Sequence, residues 1–207
     1  MPQKIIIISG SPRKQGNTAI LIDWLIESLN SENNDYAVER AHAVDLEDKA
    51  RGCTACRLCQ QAPDYGCVIK DDVSELLNKI IHADVIIMAT PLYFFSASAQ
   101  LKSIMDRMFS LYKWDNTAGT MQTVLKDKHL AVMASAFEEA GLEDLVRPFA
   151  MTAEYSQMSF SFLTIPNAGI SGQLQEKPYI RDRVRQFAKE ILKSQNSKKP
   201  EQEGHNG

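Results

Sequence analysis

No apolar stretch of this sequence is long enough to cross a membrane, and no basic run is long enough to bind nucleic acid. The formal net charge is only −3 at pH 7, because 23 Lys and Arg residues stand against 26 Asp and Glu residues. No signal-peptide pattern precedes the first predicted strand. We therefore expect a cytoplasmic protein that binds neither a membrane nor a nucleic acid.

The glycine-containing loop near the start lacks the motifs of the commonest nucleotide sites. Five residues separate Gly10 from Gly16 and Asn17-Thr18 follows, so the loop has neither the spacing nor the lysine of a Walker A motif. It contains no Gly-x-Gly-x-x-Gly, which excludes the usual dinucleotide turn, and no cysteine that could act as a phosphatase nucleophile. These absences leave a loop suited to holding a phosphate monoester without chemistry.

What this loop does have is a buried strand before it and a helix after it. Residues 5–8 are four isoleucines, which predict a parallel strand buried on both faces. Apolar residues at three- and four-residue spacing from Ile20 to Leu29 predict a helix that begins near Asn17. A helix N-terminus offers unpaired N–H groups and a partial positive charge, so we predict an anion site here. The alternative is an ordinary strand-to-helix turn.

Further strands and helices alternate along the rest of the chain. The predicted strands lie near residues 36–43, 84–90, 129–135 and 160–165, and the later helices near residues 71–81, 98–111, 142–156 and 180–192. Five strands alternating with helices indicate an α/β fold, a doubly wound parallel sheet with helices on both faces. In 2-1-3-4-5, one of the two common strand orders for such sheets, ligands bind where strands one and three end.

The predicted elements define one domain with two irregular segments. The domain is expected to cover residues 1–193, with a cysteine-bearing loop at residues 44–70, here called the cysteine loop. A polar segment at residues 194–207 has no apolar anchors and is predicted to be a flexible tail. Asp71 and Asp72 open the second helix, where acidic side chains interact favourably with the positive end of the helix dipole.

The third predicted strand ends in an aromatic cluster: Tyr93, Phe94 and Phe95 directly follow Pro91 and Leu92. Loops at such positions are usually polar, so we expect a ring ligand, a partner subunit or both to cover these side chains. The alternative is that Phe94 or Phe95 packs beneath the next helix. In the predicted strand order this loop and the anion site share one crevice. A phosphate site beside a flat apolar wall describes flavin mononucleotide (FMN).

Three segments resemble the NAD(P)H-dependent FMN reductases of the flavodoxin-like fold and, within them, the iron–sulfur flavoproteins. They are residues 9–18, which contain Ser-Gly-Ser-Pro-Arg-Lys and Gly-Asn-Thr, residues 67–72, Cys-Val-Ile-Lys-Asp-Asp, and residues 90–107, which begin Thr-Pro-Leu-Tyr-Phe. The resemblance covers residues 4–135. It implies a flavodoxin-like five-stranded sheet, bound FMN, and a homodimer or homotetramer with the flavin near a subunit interface.

By this resemblance, two groups of residues hold the flavin. Those expected at the FMN phosphate are Ser9, Ser11, Arg13, Asn17 and Thr18. Those expected to border the isoalloxazine ring are Pro91, Leu92, Tyr93 and Phe94, with Ser135 and the loop 135–137 approaching the other edge of the ring. NAD(P)H is then expected to stack on the ring as the hydride donor, so no side chain is predicted to be catalytic.

All four cysteines lie in the cysteine loop, in the pattern Cys53-x2-Cys56-x2-Cys59-x7-Cys67. Two successive two-residue gaps can place three thiolates around one corner of a cluster, with a fourth returning over a short loop. Thiolates favour iron–sulfur clusters or zinc over hard cations. The resemblance makes a [4Fe–4S] cluster the first hypothesis, although the last gap is longer than in the iron–sulfur flavoproteins. Free thiols and zinc are the alternatives.

Three functions are compatible with these observations. The first is a reductase that takes hydride from NAD(P)H and reduces a quinone, a flavin or a similar small acceptor. The second is an electron carrier that moves single electrons between ferredoxin-like partners and FMN through the cluster. The third is a flavin-binding protein with a regulatory role. No sequence feature indicates the acceptor or a choice between NADH and NADPH.

Overall fold

The four isoleucines form an inner strand of the main sheet. A computed structural model describes residues 2–31, 36–115 and 117–196. Within them, the strands of the main sheet are β1 (Gln3–Ser9), β2 (Tyr36–His42), β3 (Val85–Pro91), β6 (His129–Ser135) and β7 (Ser159–Ile165), and those of a separate hairpin are β4 (Tyr112–Asp115) and β5 (Thr120–Thr123). The main sheet is parallel throughout, in the order β2-β1-β3-β6-β7. This confirms the predicted doubly wound sheet of order 2-1-3-4-5.

The helices also follow the predicted alternation. They are α1 (Asn17–Ser31), α2 (Leu58–Gln61), α3 (Asp72–Ile81), α4 (Ala99–Arg107), α5 (Leu142–Tyr155) and α6 (Pro178–Asn196). A short 3-10 turn, Met108–Leu111, continues α4 to the end that the sequence predicts for it. No helix in the described part of the chain combines the length and apolar character needed to cross a bilayer.

Alternate isoleucines of β1 enter two separate cores, one on each face of the sheet. Ile5 and Ile7 pack with the buried residues of α1 and α6, whereas Ile6 and Ile8 pack with those of α3, α4 and α5. All four are at most 4% exposed. Because burying one such side chain contributes about 1.5–3 kcal/mol, β1 is a strongly stabilised strand on which loops can be positioned.

A close backbone contact at Gly10 fixes the end of β1 against the start of α4. The N–H of Gly10 donates to the carbonyl of Ala89 at 2.7 Å. The hydroxyl of Ser98 donates to the carbonyl of Gly10 and also accepts the N–H of Leu101, which caps α4. A Cβ atom at position 10 would lie 2.7 Å from the Cβ of Leu101, so a larger residue would separate these elements. The contact holds the loop after β1 beside the loop after β3.

The hairpin β4–β5 and the helix α2 were not predicted from the sequence. The hairpin β4–β5 pairs four residues with four, with Tyr112 opposite Thr123, and α2 is a single turn inside the cysteine loop. Strands and helices this short carry too few apolar residues to show a periodic pattern.

The last helix runs further than predicted. α6 continues through Asn196, three residues into the segment predicted to be a flexible tail, and the hydroxyl of Ser194 donates to the carbonyl of Ile191 at 2.7 Å. No glycine or proline precedes Pro200 in this segment, so nothing in it stops the helix at residue 193. The rest of the predicted tail, residues 197–207, lies outside the described residues.

Candidate functional site

A cavity of about 530 Å³ opens at the carboxyl edge of the sheet. Neighbouring strands end side by side there, because Pro91 pairs with Ser135 and Ser135 pairs with Ile165. The loops that follow β1, β3, β6 and β7 form its walls. Its volume lies in the range of small-molecule sites, and its position is the one at which doubly wound sheets bind ligands.

The structure brings together eight of the ten residues predicted to hold FMN. The residues of this group that line the cavity are Ser11, Arg13, Asn17, Thr18, Pro91, Leu92, Tyr93 and Ser135. Ser9 and Phe94 do not line it. Ser9 is 1% exposed because β1 continues one residue past the isoleucines, which places Ser9 in the sheet between His42 and Ala89. Phe94 is 99% exposed and lies at the tip of its loop.

Seven further residues line the cavity. They are Gly16, Ala136, Phe137, Ala168, Gly169, Ile170 and Ser171. Ala136 and Phe137 belong to the loop expected near the ring. The segment 168–171 follows β7 and could have been inferred, since in a parallel sheet every strand ends at the same edge.

The loop after β1 is shaped by Ser11. Its hydroxyl accepts the N–H of Arg13 and donates to the carbonyl of the same residue, both at 3.1 Å. The hydroxyl therefore stabilises the loop. The side chain of Arg13 is exposed at the cavity and forms no salt bridge with an acidic group among the described residues. A free guanidinium beside a cavity is suited to bidentate recognition of a phosphate.

The start of α1 lines this cavity and has unpaired backbone amides. The first hydrogen bonds at the helix start run from the N–H groups of Ala19 and Ile20 to the carbonyl of Gly16, at 2.9 and 3.2 Å. The N–H groups of Asn17 and Thr18 precede them and have no partner within the helix. With the helix dipole they make the polar end of the cavity attractive to an anion.

The side chain of Asn17 has a different role from the one predicted. Its amide group donates to three successive carbonyls, from Ala168 to Ile170, each at 3.1 Å. Its carbonyl oxygen accepts the N–H groups of Gly172 at 3.0 Å and Leu174 at 3.4 Å. Both polar ends of this side chain are thus used to hold the loop after β7 against α1. Asn17 builds the wall of the cavity, and only its backbone N–H is left for an anion.

The floor and the mouth of the cavity differ in character. The hydroxyls of Thr18 and Ser135 lie 3.3 Å apart at buried positions. Around the mouth, Tyr93, Phe137 and Ile170 are 39%, 67% and 71% exposed. Exposed apolar side chains around a polar floor are suited to a flat ring whose other end is charged.

The aromatic loop after β3 is a tight, strained turn. Tyr93 and Ser96 exchange backbone hydrogen bonds at 3.0 and 3.1 Å, and Phe94 and Phe95 between them have φ angles of +47° and +61°. Residues other than glycine rarely adopt this left-handed backbone conformation, because it costs roughly 1–2 kcal/mol per residue. Phe95 lies against Gly141, where a Cβ atom would be 2.3 Å from its ring. Neither phenylalanine packs beneath α4, so that alternative is wrong.

The cysteine loop folds back on itself and brings its four cysteines to one small cavity. Cys53, Cys56, Cys59 and Cys67 all line this space of about 20 Å³, which is roughly the volume of one water molecule. Cys59 is buried and Cys67 partly buried, whereas Cys53 and Cys56 are exposed. Among the described residues, no three Cys, His, Asp or Glu side chains are arranged to hold a metal ion. The predicted cluster site is therefore not preformed.

The backbone around these cysteines provides donors to sulfur. Hydrogen bonds from the N–H of Leu58 and from the side chain of Thr54 lower the pKa of Cys56 below its ordinary value. Arg51, Gly52, Ala55 and Arg57 all have positive φ angles, which also occur in backbone concavities formed by N–H groups. Such concavities bind anions, including iron–sulfur clusters, so the donor chemistry of the loop fits a thiolate-held cluster.

Comparison with curated proteins shows relatives with flavin and iron–sulfur names. An iron–sulfur flavoprotein of Methanocaldococcus jannaschii is 40% identical over 105 residues, which cover 50% of this chain and 51% of that protein. An iron–sulfur flavoprotein of Archaeoglobus fulgidus is 36% identical over 105 residues, 51% of this chain and 45% of that protein. The chain thus spans about half the length of the curated relatives it matches.

A solved structure supports the fold across most of the chain. An FMN-dependent NADH-azoreductase from Bacillus anthracis, in complex with FMN, superposes with a TM-score of 0.68 and 13% identity. The superposition covers 91% of this chain and 99% of that one. At this identity the similarity establishes a shared flavodoxin-like fold.

The sequence pattern of one family matches most of the described chain. The family is described as NADPH-dependent FMN reductase, and the match covers residues 3–158. That segment contains β1, α1, β3 and the end of β6, and therefore three of the four loops around the main cavity. The chain belongs to the NADPH-dependent FMN reductase family.

Proposed function

We propose that this chain binds FMN in the cavity at the carboxyl edge of the sheet and passes hydride from NAD(P)H to a small acceptor, such as a quinone or a flavin. The observation that carries the proposal is the meeting of an unpaired helix start with apolar loops around one cavity of about 530 Å³. Membership of the family supports it.

In this proposal the phosphate lies at the start of α1. The N–H groups of Asn17 and Thr18 donate to it, and the exposed guanidinium of Arg13 adds a charge-assisted bond. Ser11 and the side chain of Asn17 shape the surrounding loops. Their part is to hold the donors in place.

The isoalloxazine ring lies toward the mouth of the cavity, along Pro91, Leu92 and Tyr93 and opposite Phe137 and Ile170. When bound, FMN supplies hydride acceptance and donation at its ring, so no protein group has to act as a nucleophile or base. The apolar side chains exclude water from one side of the ring and leave the other side open to NAD(P)H and then to the acceptor.

We also propose that the protein works as a homodimer or homotetramer. The fully exposed Phe94 lies next to the proposed ring site, at the tip of the strained turn. An apolar side chain exposed to water does not stabilise a monomer, whereas a second subunit would bury it.

All four cysteines are free thiols, which fits a reducing compartment, and we place the reaction in the cytoplasm.

A second candidate function is one-electron transfer. Four thiols around one cavity, with sulfur-directed donors beside them, favour a [4Fe–4S] cluster that exchanges electrons between a ferredoxin-like partner and FMN. Such a cluster supplies single-electron transfer when bound. The cavity measures about 20 Å³ in this structure, and Cys53 and Cys56 are exposed beside it.

Anaerobic purification followed by two reductions tests both candidates. Rapid loss of the flavin absorbance when NADH or NADPH is added would support the reductase. Reduction by a low-potential one-electron donor alone, together with bound iron and sulfide, would support the electron carrier. Bound flavin that neither donor reduces would indicate a binding or regulatory role. A chain that takes up no FMN would contradict the whole proposal.

A further inference from the structure

Arg107, at the end of α4, is the one fully buried cation next to the cysteines in the described part of the chain. It is 2% exposed. Its two terminal nitrogens donate to both carboxylate oxygens of Asp71, at 2.7 and 2.8 Å. One of them also donates to Asp48 at 2.8 Å, and the other to the carbonyl of Ile69 at 3.3 Å. The terminal nitrogens are therefore fully used.

These partners lie at both ends of the cysteine segment. Asp48 also accepts the N–H of Gly52 at 3.0 Å, one residue before Cys53. Ile69 follows Cys67 by two residues. Asp71 caps α3 by accepting the N–H of Ser74 at 2.9 Å. One guanidinium thus joins the entry and the exit of the segment 53–67 to the ends of two core helices.

The third nitrogen of Arg107 has no such use. Its Nε is buried and has no hydrogen-bond partner among the described residues. Arg107 lines the same small cavity as the four cysteines. Burial acts to lower the pKa of Arg107, but its interactions with Asp71 and Cys67 outweigh burial and hold the pKa above its ordinary value.

Buried donors in native proteins are nearly always paired, and an exception needs an explanation. Here the residue that carries the unpaired donor lines a cavity together with all four cysteines. Hydrogen bonds to cluster sulfurs and nearby positive charge are among the main influences of a protein on the potential of an iron–sulfur cluster. An orphaned N–H beside four thiols is thus a donor suited to a sulfur anion.

We propose that Arg107 is a positioning residue for the four-cysteine site: its terminal nitrogens hold the cysteine loop, and its Nε–H donates to a sulfur of the cluster bound there. This inference rests on the [4Fe–4S] site proposed above and adds to it a residue that is not a ligand. The donated bond stabilises the more negative, reduced form and so raises the reduction potential of the cluster.

Replacing Arg107 by Lys separates these roles. The ammonium keeps the positive charge next to Asp71, but all its N–H donors are on one atom, so it has no second nitrogen to replace the Nε of Arg107. At a fixed solution potential, we expect Arg107→Lys to shift the ratio of oxidised to reduced cluster at least tenfold. For a one-electron couple this is a shift of about 59 mV to more negative potential.

The experiment uses the full chain, loaded with FMN and reconstituted without oxygen with ferrous iron and sulfide. Iron and sulfide per chain are measured, and the cluster potential is followed by visible absorbance during a mediated titration. The matched control is Arg147→Lys, the same substitution at an exposed position of α5. We expect Arg107→Lys to bind FMN as the control does, and to show a more negative potential or a loss of the cluster.

The outcomes separate this inference from the proposal on which it rests. If the wild-type chain takes up no iron and sulfide, the cluster proposal is wrong and the role of Arg107 falls with it. If the wild-type chain holds a cluster and Arg107→Lys has the same potential and iron content as the control, only the role of Arg107 is wrong.

A second measurement covers the case in which Arg107→Lys does not fold. The protein for this measurement is labelled with ¹⁵N-arginine and carries the substitution Arg57→Lys. Arg57 is exposed but also lines the small cavity, so its labelled nitrogens would otherwise contribute to the signal. Pulsed electron paramagnetic resonance of the reduced cluster should then show coupling to an arginine nitrogen. The absence of ¹⁵N coupling in a labelled chain that holds a cluster would overturn the inference.

Discussion

The two terminal nitrogens of Arg107 lie 2.7 and 2.8 Å from the two carboxylate oxygens of Asp71, and both side chains are buried. The pair joins the last turn of α4 to the N-terminal cap of α3. A buried ion pair adds little net stability over apolar residues, but removing one partner leaves an uncompensated charge. This contact therefore makes the packing of two helices and the cysteine loop depend on a single residue pair.

Removing the carboxylate should destabilise the protein strongly. For Asp71→Asn we expect the free energy of unfolding to fall by about 3–5 kcal/mol, because the buried guanidinium loses its main counter-charge. Urea unfolding of the flavin-free chain measures the change. The matched control is Asp106→Asn on α4, which breaks the exposed pair with Lys102 and should cost about 0.5 kcal/mol or less. Equal effects of the two substitutions would contradict the prediction.

The same carboxylate should make stability depend on acidic pH. Burial acts to raise the pKa of Asp71, but hydrogen bonds from Arg107 and Ser74 outweigh it and hold the pKa below its ordinary value. The ionised form is thus favoured by folding, and its contribution is complete above the unfolded-state pKa of about 3.9. The contribution is lost as pH falls through the lower folded-state pKa. Measured from pH 6 to pH 2, the stability difference between wild type and Asp71→Asn should therefore shrink. A difference that stays constant would refute this origin.

Arg13 should contribute to FMN affinity through the phosphate. We expect Arg13→Ala to weaken FMN binding roughly tenfold or more, because a charge-assisted bond contributes about 1.5–3 kcal/mol. Riboflavin, which lacks the phosphate, should bind equally to both proteins. The control is Lys14→Ala, whose side chain forms a 2.7 Å salt bridge with Asp45 and does not line the cavity. Fluorescence titration measures both affinities, and equal losses in the two variants would exclude a direct role of Arg13.

Asn17 should act on the site through the loop after β7. For Asn17→Ala we expect weaker FMN binding and faster amide hydrogen exchange at residues 168–174, because the backbone groups it pairs lose their partners. Asn30→Ala, at an exposed position of the same helix, is the control. Weaker binding with unchanged exchange at this loop would show that the side chain contacts FMN directly.

Replacing a residue of the strained turn by glycine should stabilise the protein. At Phe94, where φ is +47°, we expect Phe94→Gly to raise the unfolding free energy of the flavin-free monomer by up to about 1 kcal/mol, since glycine relieves the left-handed strain. Phe137→Gly is the control. Phe137 is also exposed but does not have a positive φ, so glycine should lower stability there. Destabilisation by both substitutions would show that the turn is not strained.

Local patterns were sufficient to predict the sheet. Four isoleucines in a row specify a strand buried on both faces, and regular apolar spacing marks the helices on either side. The position of the cavity also follows, because parallel strands end at one edge and ligands bind where the strand order reverses. Eight of the ten predicted FMN residues line that cavity for this reason.

The roles of individual side chains were decided by contacts between distant segments. Asn17 holds the carbonyl of Gly169, 152 residues away, and Arg107 holds Asp48, 59 residues away. No local spacing encodes such pairs, and the dipeptide Asp106-Arg107 does not show that one side chain is exposed and the other buried. The exposure of Phe94 likewise depends on a turn that closes only when Ser96 meets Tyr93.

By itself, the sequence determined the order of strands and helices, the two cores and the edge at which a ligand binds, because these follow from short-range apolar patterns and the geometry of parallel sheets. Only the tertiary structure decided which polar atoms are left free at that edge and which residues line the small cavity with the cysteines. Which polar groups form hydrogen bonds within the protein is determined when distant segments pack together. The polar groups that remain unpaired are the ones that can bind a ligand.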